Sequence, residues 1–406
     1  RKNLEIAWRH VRRNRGSPGV DGLSIDETRN YLKEHWPTIR DQLLEGTYSP
    51  QPVKRVNIPK PDGGVRKLGV PCVVDRLIQQ GLLQVLQKQW DPTFSEHSYG
   101  FRPRRSAHQA VVQAQRYIAE GYNYVVDIDL EKFFDRVNHD MLMARVAARV
   151  SDKRVLKLIR AFLNAGVMEE GMVCPIDEGT PQGGPLSPLL SNLVLDDFDK
   201  ELARRGHRFC RYADDCNIYV RSRRAGERVM ATICRFLTKK LRLKVNESKS
   251  AVARPEERKF LGFSISNDGS ERRIAPKALD RFKMRLREFT RRTRGVSLPQ
   301  LIAKLAPYLI GWRGYFGLCQ TPRVLSNLDA WIRRRLRMFL WRQWKNGPNR
   351  FKELRRRGVS RFNAAVAAGS PTGLWRMSGH PAVQQALRNH YFDSIGLPRV
   401  AASCNA

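Results

Sequence analysis

Phe209-Cys210-Arg211-Tyr212-Ala213-Asp214-Asp215-Cys216-Asn217-Ile218 sets two adjacent carboxylates between two short apolar stretches. Arg208 to Tyr212 and Cys216 to Val220 read as strands separated only by Ala213-Asp214-Asp215, so a tight hairpin is expected with the acidic pair at its tip. Upstream, Tyr124-Val125-Val126-Asp127-Ile128-Asp129-Leu130 has the β-branched density of a buried strand, interrupted by two carboxylates that alternation puts on one face. Buried strand carboxylates are costly unless paired or metal-bound. Setting the hairpin beside the first strand would converge two or three of them, an oxygen-rich arrangement suited to magnesium ions about 3.5 to 4 Å apart. Taken singly, either cluster reads more readily as a solvated turn or a salt bridge. The joint case, with a Gly-rich loop lying between the clusters, points to a site.

Around that nucleus lie 406 residues, enough for two or three domains, with 41% hydrophobic and 9% aromatic residues to build real cores. Lys and Arg number 74 against 39 Asp and Glu, a formal charge of +35, which calls for a polyanionic partner such as nucleic acid. Residues 271 to 360 hold 24 Lys and Arg against 5 Asp and Glu, so an excess of 19 sits in under a quarter of the chain. No apolar run approaches the roughly 20 residues of a membrane span, and a soluble, cytosolic protein is expected. Seven scattered Cys without a C-x-x-C pair, and eight His without H-E-x-x-H, indicate neither a disulfide framework nor a zinc site.

The rest of the chain mixes helix and strand without repeats. Helical spacing is read over Leu4 to Arg15, Ile25 to Leu44, Val74 to Trp90, Ser106 to Glu120, Met141 to Leu163, Ser187 to Arg205 and Gly226 to Leu243. Pro50 to Val70 reads as a hairpin turning at Pro61-Asp62-Gly63-Gly64, with Lys60 and Arg66 on opposite arms. Short strands near Leu243 to Val245 and Phe260 to Ser266 are expected to close an antiparallel sheet. From Pro276 onward only helical patterns remain, as in Phe282, Leu286 and Phe289, or Ile332, Leu336 and Phe339.

The hairpin resembles the Tyr-x-Asp-Asp catalytic hairpin of reverse transcriptases, and other blocks follow in that family's order. Val126 to His139 is similar to the palm strand with the other catalytic Asp, and Gly179 to Asn192 to the loop and helix that support the nascent base pair. Leu243 to Ser250 and Arg258 to Phe263 resemble the later palm blocks. Gly16 to Gly22, Ile58 to Pro71, Tyr99 to Pro103, Gln182 to Pro188 and the region from Pro307 to Trp344 resemble group II intron-encoded proteins, which combine reverse transcriptase and maturase. The absence of His-Asn-His residues and Cys pairs implies a member of the endonuclease-lacking type, reliant on another primer.

The resemblance implies an α/β (α+β) right-hand polymerase fold. Residues 1–122 would be the N-terminal extension and fingers, and 123–272 the palm with an antiparallel sheet. Residues 273–368 would form an all-helical thumb or maturase domain, and 369–406 a C-terminal extension able to bind DNA. Asp129 and Asp214, with the Leu130 carbonyl, would hold two magnesium ions that activate a primer hydroxyl, and Asp215 would support the catalytic site. Asp127 reads as a structural acceptor instead. Lys60 and Arg66 would clamp the triphosphate, Gln182 and Lys249 would contact the nucleotide, and Phe134 would fill the space beneath the sugar C2′ to exclude ribonucleotides. Arg333, Arg334 and Arg337, facing away from the apolar side of their helix with Trp341 nearby, would bind RNA or DNA.

The implied function is RNA-directed DNA polymerase and splicing maturase of a group II intron. The partners would be intron RNA in a ribonucleoprotein, target DNA with its primer, and dNTPs during retrohoming, with no membrane. The expected setting is a bacterial cytoplasm, with nucleoid association when acting on DNA. Two other readings stay open: a splicing cofactor that chiefly stabilises folded RNA, and a host-domesticated reverse transcriptase.

Overall fold

The computed structural model describes residues 2–59, 63–169, 172–174, 179, 183–291 and 295–401. The chain forms two compact units, Arg1–Arg254 and Pro255–Ala406.

The first unit begins with α1 (Lys2–Asn14), which buries Ala7 and Val11, and α2 (Ile25–Glu45), started by a Ser24/Glu27 capping box and closed by Gly46 in the left-handed region. Strands β1 (Val53–Pro59) and β2 (Val65–Val70) make the expected hairpin, pairing Ile58 with Arg66. Then come α3 (Val73–Trp90), α4 (Ala107–Ala119) and β3 (Tyr124–Ile128). A short 3-10 turn, Phe133–Asp135, leads into α5 (His139–Ala147) and α6 (Lys153–Asn164). The single helical run expected over Met141 to Leu163 is therefore two helices, because Asp152 accepts the Arg154 N–H and starts a new one.

Strands β4 (Val167–Glu169) and β5 (Met172–Cys174) join the first hairpin in a sheet of order β2-β1-β4-β5, with β4 parallel to β1. Next, α7 (Ser187–Arg204), β6 (Arg208–Tyr212), β7 (Asp215–Val220), α8 (Arg223–Lys240) and β8 (Ala251–Ala253) complete the unit. The palm sheet runs β6-β7-β3-β8, every neighbour antiparallel. Val126, Ile128, Leu193, Phe198, Phe209, Ile218 and Ile233 bury its covered face under α7 and α8. Gly226 lets α8 approach closely, since a Cβ there would stand 2.5 Å from Val252 Cγ1.

The strand that closes this sheet differs from expectation. Val245 makes only an isolated bridge to Leu130, and Ala251–Ala253 supplies the edge strand. Phe263 to Ile265, expected in the palm, forms β9 (Phe263–Ile265) and pairs with β10 (Arg272–Ile274) in the second unit. The boundary accordingly lies at Arg254/Pro255, before the expected 272. The cause is aromatic packing: the Phe263 ring lies 5.7 Å from Tyr315 and 5.4 Å from Phe316, and Tyr315 donates to the Leu261 carbonyl at 2.8 Å.

The remainder of the second unit is helical among its described residues. It contains α9 (Pro276–Phe289), α10 (Leu298–Phe316), α11 (Pro322–Gln343), α12 (Gly347–Arg356) and α13 (Arg361–Gly369), followed by the short α14 (Leu374–Met377), α15 (Pro381–Ala386) and α16 (Asn389–Ser394). Leu301, Leu305, Ile332, Leu336, Phe339, Val383, Leu387 and Phe392 share one core. Residues 374 to 401 thus pack into the core of the unit.

Candidate active site

The palm register brings the acidic residues together. Ile128 pairs with Cys216, which carries Asp129, one residue past the end of β3, to the level of Asp215 at the hairpin tip. Tyr212 pairs with Asp215, leaving Ala213-Asp214 as a two-residue turn in which Ala213 takes φ 58. The Asp214 carboxyl is raised above the ordinary carboxylate range, first by burial and then by the neighbouring charge of Asp129, while Arg66 partly offsets the rise. The Arg66 charge, from the β1/β2 hairpin, thus acts on Asp214. Asp215 is exposed at the start of β7.

Asp129 is held by its backbone. Its N–H donates to Ser250 Oγ at 3.0 Å, and its carbonyl accepts the Asn246 N–H at 2.8 Å. The loop from Asn246 to Ser250 thereby also carries Lys249, whose Nζ lies 4.0 Å from Asp129 Oδ2. Asp127 sits within the sheet opposite Asn217, which in the amide orientation that satisfies both groups donates to Asp127 Oδ1 at 2.9 Å. Phe134 lies in the 3-10 turn, half-buried against the core and 5.3 Å from the Phe133 ring. Lys60 and Gln182 lie outside the described residues.

Sequence reasoning missed what supports the hairpin. Arg211, on β6, is 1% exposed and makes a paired ion bridge to Asp199 of α7, with Nε to Oδ1 at 2.7 Å and Nη2 to Oδ2 at 2.5 Å. It also donates to Ser98 Oγ at 2.7 Å, Asn192 Oδ1 at 3.1 Å and the Ala213 carbonyl at 2.9 Å. Asn192 in turn donates to the Gly100 carbonyl at 2.9 Å. Gly100 lies directly on the turn: a Cβ there would come within 2.3 Å of the Ala213 nitrogen. The signal in the sequence is Arg211 set among Phe209, Cys210 and Tyr212 of the strand.

Among the described residues no cluster of three or more His, Cys, Asp or Glu side chains could hold a metal ion. The acidic pair Asp129 and Asp214 still fits one. Magnesium is commonly held by one or two carboxylates, with substrate phosphates and water completing its shell.

The second unit corrects part of the expected nucleic-acid face. Arg333 is 4% exposed, with Nη2 2.9 Å from Asp393 and Nη1 3.5 Å from Asp329. Trp341 is 1% exposed and covered by the Arg350 guanidinium at 5.0 Å. Arg334 stacks on Trp375 at 4.3 Å, and Arg337 donates to the Leu387 carbonyl at 2.9 Å. The expected solvent face of α11 is covered because the chain from 374 to 401 folds back over it. Two adjoining clefts, of about 770 and 660 Å³, border this seam and share Ala330, Arg337 and Gln384. Arg376 lines one and Arg388 the other, both exposed.

The comparisons agree with this architecture. Residues 58–265 match the reverse transcriptase (RNA-dependent DNA polymerase) family, and residues 279–358 match the group II intron maturase-specific domain. Protein YkfC of Escherichia coli is 33% identical over 274 residues, covering 58% of this chain and 72% of that protein. The group II intron-encoded protein LtrA of Lactococcus lactis is 35% identical over 196 residues, covering 48% of this chain but 32% of its own length. A solved Cas6-RT-Cas1–Cas2 complex is 25% identical, with a TM-score of 0.38, over 59% of this chain and 41% of that one. The chain belongs to the reverse transcriptase family, in the group II intron branch that joins the polymerase domain to a maturase domain. Its fold is accordingly the right-hand polymerase fold, and the family uses divalent metal ions.

Proposed function

We propose that the chain copies group II intron RNA into DNA and assists splicing of that RNA, using the Asp129/Asp214 site for nucleotidyl transfer. The observation that carries this reading is the convergence of Asp129 from the end of β3 with Asp214 from the hairpin turn, where the Arg66 charge acts on Asp214. Asp129 and Asp214, with the Leu130 carbonyl, would hold two magnesium ions, which would supply charge neutralisation at the leaving phosphates. Asp215 supports the turn, Arg66 and Lys249 bind phosphate, and Phe134 packs against the sugar. Lys60 and Gln182 take their parts from the family resemblance alone. The partners in this reading are intron RNA, target DNA, a primer and dNTPs, in a bacterial cytoplasm. No helix among the described residues is long and apolar enough to cross a membrane.

The test is extension of a DNA primer on an RNA template with and without magnesium. Asp129→Ala and Asp214→Ala should each lose extension by about a thousandfold or more while binding intron RNA almost as before. Full extension by both variants would remove the assignment.

The maturase domain match favours a second role in splicing, read on the exposed cations of the 255–401 unit. Arg376 and Arg388, exposed on their two clefts, are suited to phosphate contacts. Assisted splicing of an intron RNA by a variant lacking Asp214 would separate this role from polymerisation.

A further inference from the structure

The turn that carries Phe134 rests on a glycine. Gly179 takes φ +98, and a Cβ there would stand 2.8 Å from the Phe134 carbonyl oxygen and 3.0 Å from Asp135 Cα. The Gly179 backbone is therefore packed directly against the peptide joining Phe134 to Asp135. Only glycine both adopts that φ and leaves that space.

Gly179 is itself clamped from two sides. Its N–H donates to the Val137 carbonyl at 2.8 Å. Its carbonyl accepts from His139 Nε2 at 2.6 Å, which requires the ring proton on Nε2. His139 is 4% exposed and is the first residue of α5, where Asn138 caps the helix by accepting the Met141 N–H at 2.9 Å. The imidazole is thus anchored to a capped helix at one end and to the Gly179 carbonyl at the other.

The turn on the other side is also constrained. Lys132 takes φ 49, the Asp135 N–H donates to the Lys132 carbonyl at 2.9 Å, and the Arg136 N–H donates to the Phe133 carbonyl at 3.1 Å. Such a turn moves as a body, so the height of its aromatic rings follows the surface it rests on.

We propose that His139 is a positioning residue for sugar selection: its hydrogen bond to the Gly179 carbonyl fixes the surface on which the Phe134 turn rests, and so sets how strictly the site excludes a 2′-hydroxyl. This rests on the reading that Phe134 contacts the nucleotide sugar. A filter of this kind discriminates by contact, and a displacement of well under the length of a C–C bond changes whether an extra oxygen fits. Neither His139 nor Gly179 touches the nucleotide; each acts through the turn.

The experiment is single-nucleotide insertion on an annealed RNA template and DNA primer, reading kcat/KM for dGTP against GTP in the full chain. Phe134→Val should lower the preference for dGTP, which tests the underlying reading by itself. His139→Ala should lower the preference by about tenfold, His139→Gln should restore most of it by donating from Nε2, and Gly179→Ala should lower it from the opposite side of the same contact. The ratio reports the filter and not the amount of folded enzyme, so a partial loss of stability does not imitate the effect. If Phe134→Val leaves the ratio unchanged, the sugar-contact reading fails and this inference with it. If Phe134→Val moves the ratio while His139→Ala and Gly179→Ala do not, the filter is real and the His139 clamp is not part of it. Should His139→Ala fail to fold, Gly179→Ala decides the question in the same way.

Discussion

The ionised Asp214 carboxylate costs the folded chain stability. Burial and the Asp129 charge both raise its pKa, so the folded chain is penalised whenever this carboxyl is ionised. A carboxyl raised on folding adds stability as pH falls through its folded-state pKa, because the folded form then takes up the proton more readily than the unfolded one. Asp214→Asn removes the repulsion at neutral pH while keeping the shape. The expected outcome is a melting temperature at or above wild type together with loss of primer extension, measured by calorimetry beside the extension assay. A clear fall in melting temperature would show that Asp214 supports the fold.

Hairpin β6/β7 delivers Asp214, but its turn is shaped by neighbours that come from far along the chain. Ser98, Asn192 and Asp199 converge on Arg211, and Arg211 donates to the carbonyl of Ala213, whose left-handed backbone is unusual for a residue with a side chain. Removing one member of a buried ion pair leaves the other uncompensated. Arg211→Met should therefore cost about 3 to 5 kcal/mol in denaturant unfolding of the chain, and a loss below about 1 kcal/mol would contradict the geometry. Gly100→Ala tests position more finely. Its Cβ would meet backbone of the turn at 2.3 Å, so extension should fall by about a hundredfold in a chain that remains folded, as seen by circular dichroism.

At the scale of the whole molecule, the charge of +35 makes nucleic-acid affinity strongly salt-dependent, but the cations do not contribute alike. Arg333 is committed to Asp329 and Asp393 in the core of the second unit, whereas Arg376 and Arg388 are exposed on its clefts. Arg376→Gln with Arg388→Gln should make the log-log salt slope for intron RNA shallower by roughly 0.7 to 0.9 per lost phosphate contact, with little change in melting temperature. Arg333→Met should do the reverse, lowering the melting temperature and leaving the slope nearly unchanged. Titration at several salt concentrations with thermal melts of each variant checks both, and equal slopes throughout would move the RNA surface elsewhere.

Local signals determined much of this protein. The β-branched run at 124–130 and the Tyr-Ala-Asp-Asp turn carry their conformations in a few adjacent residues, and the ordered blocks around them marked the reverse transcriptase fold. Capping residues such as Ser24 and Ser106 start helices by bonds to residues three positions away, and the helices after them were legible from spacing. Only the tertiary structure decided which edge strand closes the palm, because three-residue strands such as Ala251–Ala253 hold too little periodicity to identify, and pairing partners are chosen across the sheet. It likewise decided that Phe263 joins Tyr315 and Phe316, that Arg211 holds the Ala213-Asp214 turn, and that Arg333 is interior. A helix pattern tells which face is apolar but not what covers the polar face. On α11 that cover is chain folded back from some forty to seventy residues later, and its carboxylates and carbonyls bury Arg333 and engage Arg337, which look solvent-facing in sequence.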